Sequence, residues 1–105
     1  MKRTTRACSI TARTRAQVYE RDGGRCIFCG SVHALQTAHY IPRSLLGLGI
    51  PENLAMLCMR CHDEYDNGAY HKVLKQQFRE YLKGQYKDWD ENQLVYKKYG
   101  GKTNA

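Results

Sequence analysis

Four cysteines stand in two CxxC pairs, Cys26-Ile-Phe-Cys29 and Cys58-Met-Arg-Cys61. Four thiolates meet the tetrahedral preference of zinc, and a site filled by four sulfurs keeps no position for water or substrate, so such a zinc is structural. A redox dithiol could use one CxxC, and an iron–sulfur cluster also takes four thiolates. Two pairs in a small basic chain without a βαβ pattern favour zinc. Cys8 has no partner at ligand spacing and reads as a small apolar filler or a free thiol.

Hydrolytic chemistry must then rest on other side chains, and three segments offer them: AHYIPRS with His39, PENLAMLC with Asn53, and CMRCHDEYD with His62 and Asp66. With a histidine three residues before Pro42, an asparagine, and a histidine directly after the second CxxC, the stretch 21–66 resembles the HNH endonuclease family in its four-cysteine form. The resemblance implies an α+β fold, a zinc-stapled ββα-metal core flanked by helices, and metal-dependent hydrolysis of DNA phosphodiester bonds.

By motif position, His39 resembles the general base that takes a proton from water, a role open to a histidine that is largely neutral near pH 7. Asn53 resembles the residue that holds the inter-strand loop, since an amide both donates and accepts. His62 resembles a ligand of the catalytic cation. Asp66 follows at i+4 on the same helix face, where one cation can reach both. An imidazole with a carboxylate suits Mg2+, Mn2+, Ni2+ or Zn2+. Many family members carry Asp or His just before the base, whereas Ala38 stands here, so either water fills that position, or a side chain such as His33 or His71 reaches in, or metal binding is weak. Arg21, Arg43 and Arg60 flank the motif and are candidate phosphate contacts.

These side chains need particular elements to bring them together. The run TARTRAQVYER predicts a helix capped by Thr11 and stopped by RDGG. Leu35 to Ile41 alternates as a strand with Leu35, Thr37, His39 and Ile41 on one side, and Leu54 to Leu57 is a second. RSLLGLGIPEN between them reads as a loop whose Leu45, Leu46, Leu48 and Ile50 fold back as core. The second CxxC turns into a helix carrying His62 and Asp66. Val73, Leu74, Phe78, Tyr81 and Leu82 recur at helical spacing from Ala69 to about Tyr86, and Asp88 or Asp90 would cap a last helix from Glu91 to Tyr99. The chain is thus expected to be one domain, 1–105, with a basic arm over 1–11 and helices over 69–99.

Composition sets the partners. In 105 residues, 17 Lys and Arg against 10 Asp and Glu give a net charge of +7, which suits DNA. A chain of this size buries only about 60–65% of its unfolded surface, so a metal is a needed support. No apolar run reaches membrane-span length and the basic start has no apolar core, so a cytoplasmic protein is expected. Little chain lies outside the motif to read base edges, and a protein partner would supply specificity. Two other readings share these features. One is a zinc-dependent DNA-binding or adaptor module without catalysis, which Ala38 favours. The other is an RNA substrate stacked on some of the eight tyrosines, although Tyr81, Tyr86, Tyr96 and Tyr99 fall on or beside helices, where packing is their expected role.

Overall fold

The computed structural model of the protein describes residues 2–97. In chain order its elements are α1 (Arg3–Cys8), α2 (Ala12–Arg21), β1 (Leu35–His39), β2 (Leu54–Cys58), α3 (Met59–Asn67) and α4 (His71–Gln85), with short 3-10 turns at Arg43–Leu45, Pro51–Asn53 and Glu91–Gln93. The α+β class expected from the sequence is the class observed. No helix among the described residues is long and apolar enough to cross a membrane.

Every residue of β2 is buried, the pattern of a strand covered on both faces. It pairs antiparallel with β1, setting Leu35 opposite Cys58, Thr37 opposite Met56 and His39 opposite Leu54. Two strands alone are marginal in water, so the sheet depends on its helices. Leu54 and Met56 point to one face and pack with Val18 of α2. Ala55 and Leu57 point to the other, where Ala38, Tyr65 of α3, and Phe78 and Leu82 of α4 complete the main core. Phe78 meets Tyr40 edge-on with ring centroids 5.4 Å apart, and Tyr65 donates its hydroxyl to the Tyr40 carbonyl at 2.8 Å.

The helix punctuation is local. The Thr11 hydroxyl accepts from the Thr14 N–H at 3.1 Å, and Gly23 and Gly24, at φ 69° and 65°, turn the chain out of α2 toward the first CxxC. At the start of α3 the cap is Cys58, whose sulfur accepts from the Cys61 N–H.

Within the basic arm residues 3–8 are helical, and Cys8 is buried there as a small apolar filler. Three expectations need correction. β1 stops at His39 rather than Ile41: the Tyr40 N–H still donates to the Asn53 carbonyl, but at Ile41 the side chain of Asn53 replaces backbone pairing. Leu45 and Leu46 are 66% and 42% exposed instead of core. The 3-10 turn and the left-handed Leu46, at φ 66°, send them outward, and the glycine backbone packs inward in their place. Finally, 91–93 is a single 3-10 turn capped by Asp90, and Val95 then bridges Gly47 as a strand would. Tyr99 lies outside the described residues. In α4 the expected stripe buries Phe78 and Leu82, while Val73 is exposed.

Candidate active site

The Sγ atoms of Cys26, Cys29, Cys58 and Cys61 all lie within 4.8 Å of one another. Cys29 and Cys58 are 3.6 Å apart, close to the ~3.8 Å between sulfurs sharing a tetrahedral zinc at Zn–S ~2.3 Å and far from the ~2.05 Å of a disulfide. Backbone amides aim at the cluster: the Phe28 N–H points at Cys26 and the Cys61 N–H at Cys58. Gly30, at φ 81°, closes the first turn through its N–H to the Cys26 carbonyl at 2.9 Å. A backbone hydrogen bond at Ser31 lowers the Cys29 thiol to about 7, and burial raises that of Cys61. The donor set fits one tetrahedral ion of the zinc type. Such an ion would tie the loop after α2 to the end of β2 and the first turn of α3, and so fix His62, the next residue of α3, relative to the sheet.

His39 ends β1 half-buried, and its Nε2 lies 2.9 Å from the Cys8 carbonyl. A carbonyl only accepts, so Nε2 carries the hydrogen and Nδ1 is the basic nitrogen. Burial lowers the pKa of His39, and the charges of Arg43 and His62 lower it further; the hydrogen bond to Cys8 opposes this shift. Arg43 and His62 are therefore close enough to act on it electrostatically.

His62 donates from Nδ1 to Gln36 Oε1 at 2.5 Å, which leaves its Nε2 lone pair 3.4 Å from Asp66 Oδ2. Two donors of one cation bound at ~2.1 Å lie about 3 Å apart, so the pair fits a shared divalent ion. Among the described residues no third His, Cys, Asp or Glu joins them. Ala38 is buried in the core. His33 lies in the loop after the first knuckle, and His71 bonds the Tyr65 carbonyl. The side chain that reaches His62 is Gln36, two residues before Ala38 on the same strand face.

Asn53 is fully buried, and its amide clamps the inter-strand loop. Oδ1 accepts from the Ile41 N–H at 2.9 Å, while Nδ2 donates to the carbonyls of Ile41 at 3.1 Å and Leu48 at 2.8 Å. Asn53→Ala would strand these three backbone groups, each costing ~1–3 kcal/mol when buried without a partner. The expected loss is about 3 kcal/mol or more, read as a lower urea midpoint.

Of the three arginines, Arg43 and Arg60 are exposed. Arg21 is committed inside the fold, and all five of its N–H donors are taken: Nε and one Nη2 hydrogen by Asp22, and the others by the Pro51 carbonyl, the Tyr86 hydroxyl and the Leu54 carbonyl. Burial works against its charge, but the bonds to Asp22 and Tyr86 outweigh it and raise its pKa. Asp22, also buried, accepts from the Met56 N–H at 2.8 Å and from Tyr81. Sequence reasoning took RDGG only as a helix stop and missed this lock of α2 onto β2 and α4. It also missed Gln36 and the Cys8 carbonyl.

The HNH endonuclease family model matches residues 26–68, the span holding both CxxC pairs, His39, Asn53, His62 and Asp66. No curated protein matches the chain. A solved type IV phosphorothioation-dependent restriction endonuclease, ScoMcrA, is similar in fold, with a TM-score of 0.58 and 23% identity over 69% of this chain. The similarity spans only 17% of that protein's chain. The strand pair, the cysteine cluster and helix α3 all fall within the span that the HNH endonuclease model matches, and over that span the chain resembles the family.

Proposed function

We propose that the chain is a metal-dependent endonuclease that hydrolyses DNA phosphodiester bonds, with His39 as general base and a structural zinc on the four cysteines. The observation that carries this reading is the family match over the segment that holds both CxxC pairs, His39, Asn53 and His62.

In this reading Nδ1 of His39 takes a proton from water as the water oxygen attacks phosphorus, and the P–O3′ bond breaks. The Cys8 carbonyl holds Nε2–H and so fixes the tautomer. Asn53 holds the loop that follows His39, and Arg43, beside it, neutralises phosphate charge. His62 and Asp66 would hold a divalent cation between their facing nitrogen and oxygen. Such a cation, when bound, supplies electrostatic stabilisation of the phosphate charge.

Incubating the protein with supercoiled plasmid and Mn2+ or Mg2+ tests the proposal: nicked or linear product that a chelator suppresses is expected. The buried Ala38 and the two-donor cation pair favour a second reading, a DNA-binding or adaptor module without catalysis. Plasmid that stays supercoiled under every divalent ion would select that second reading.

Gln36 gives a finer test. Metal-bound histidines depend on the partner of their other nitrogen, and losing it weakens metal binding by ~10–100-fold. With the cysteine site loaded, Gln36→Leu should weaken calorimetric Mn2+ binding at least tenfold while leaving the thermal melt unchanged. Equal Mn2+ affinity would remove Gln36 from the site.

A further inference from the structure

Charge is unevenly spread along the chain. Lys2, Arg3, Arg6, Arg13 and Arg15 all precede the first acidic residue, Glu20. They account for five of the net +7, and the remaining 17 − 5 = 12 cations face 10 acids. All five are exposed, and among the described residues none makes a salt bridge or a side-chain hydrogen bond.

This segment is docked on the site. The Ala7 carbonyl accepts the Gly49 N–H at 3.0 Å, and the next carbonyl, that of Cys8, holds His39. The approach is close: a Cβ on Gly49 would stand 2.1 Å from the Ser9 carbonyl oxygen, so no side chain fits there. Arg3 and Arg6 lie one turn apart on one face of α1, and Arg6 is two residues from the carbonyl that bonds the base. Arg43 acts on His39 from the inter-strand loop. Charge serving only solubility would need no such attachment to the base.

We propose that α1 and the first turn of α2 form a phosphate-binding rim of the active site, in which Arg3 and Arg6 hold the DNA backbone beside the phosphate to be cut. This rests on the endonuclease reading above. Neighbouring phosphates on duplex DNA are dense enough for two arginines one helical turn apart to engage separate ones, and each contact releases counterions.

The test is binding of the full chain, its cysteine site loaded with zinc and no other divalent metal added, to a short fluorescent duplex across a sodium chloride series. Arg3→Gln/Arg6→Gln is compared with Lys83→Gln/Lys87→Gln, an equal charge change at exposed positions in and after α4. For the arginine pair the slope of log affinity against log salt should shrink by about 1.8, at ~0.9 per phosphate, and affinity near physiological salt should fall about tenfold. The lysine pair should stay within about twofold of the parent. A wild-type slope in the arginine variant, or an equal loss in both variants, overturns the rim and leaves the nuclease reading standing. Absence of salt-dependent DNA binding by the parent chain overturns the nuclease reading itself, and the rim with it.

Discussion

Cys58→Ser is expected to leave the chain unfolded at room temperature. A structural zinc contributes an apparent ~10–16 kcal/mol in small zinc-binding peptides, while a whole domain is stable by only ~5–15 kcal/mol. A core built on two strands has little to offset such a loss. Serine is itself a good helix N-cap, so the start of α3 tolerates the change. The missing sulfur ligand is what unfolds the protein. Far-UV circular dichroism should show the loss, a strong chelator should reproduce it in the parent, and zinc should reverse it. A Cys58→Ser protein with the parent's melting curve and no bound metal would falsify the structural site.

Acid should act in the same direction. The thiol of Cys29 falls from its ordinary 9.0 to about 7 in the folded cluster, because a backbone hydrogen bond at Ser31 favours the thiolate. A depressed value in the folded state means that the contribution to stability is complete above 9 and is lost as pH falls through about 7. Sensitivity to chelators should rise below that pH.

The second large effect is on the reaction. His39→Ala should lower the plasmid-cleavage rate by ~10²–10⁴, the usual worth of a positioned general base. With zinc on the cysteines and no other divalent cation added, duplex binding should persist, since the base contributes little charge near neutral pH. In the parent protein, burial and then the charges of Arg43 and His62 depress the pKa of His39, so the neutral form survives below 6.5. The acid limb of the rate profile should therefore fall below that pH. An acid limb above 6.5, or cleavage by His39→Ala at the parent rate, would remove His39 from the role.

Much of this site is legible in the sequence because special residues mark it. The two CxxC pairs announce a four-sulfur cluster, Gly23 and Gly24 mark the exit of α2, and the spacings of His39, Asn53 and His62 carry the resemblance to the HNH endonucleases. What is missed depends on groups that leave no such mark. The partner of His39 is a main-chain carbonyl, which every residue possesses. Gln36 reads as a solvent-facing strand residue until α3 is folded over it. Asp22 looks like part of a turn, yet its burial beside Arg21 turns a surface ion pair into a clamp on three elements. Leu45 and Leu46 mislead in the opposite sense. Their apolarity suggests core, but a tight turn gives the interior to glycine backbone.

The inter-strand loop is held from two distant parts of the sequence. Its Gly49 N–H bonds the carbonyl of Ala7, while its Leu48 N–H bonds Leu94 and its Leu46 carbonyl accepts from Tyr96. During synthesis, residues 7–49 leave the ribosome first, and the loop that Asn53 clamps lacks its second support until 94–96 emerge. A nascent chain would thus carry both CxxC pairs and all three motif residues before the loop after His39 can settle. The loop after His39 would then settle only after the cysteine cluster has had time to form.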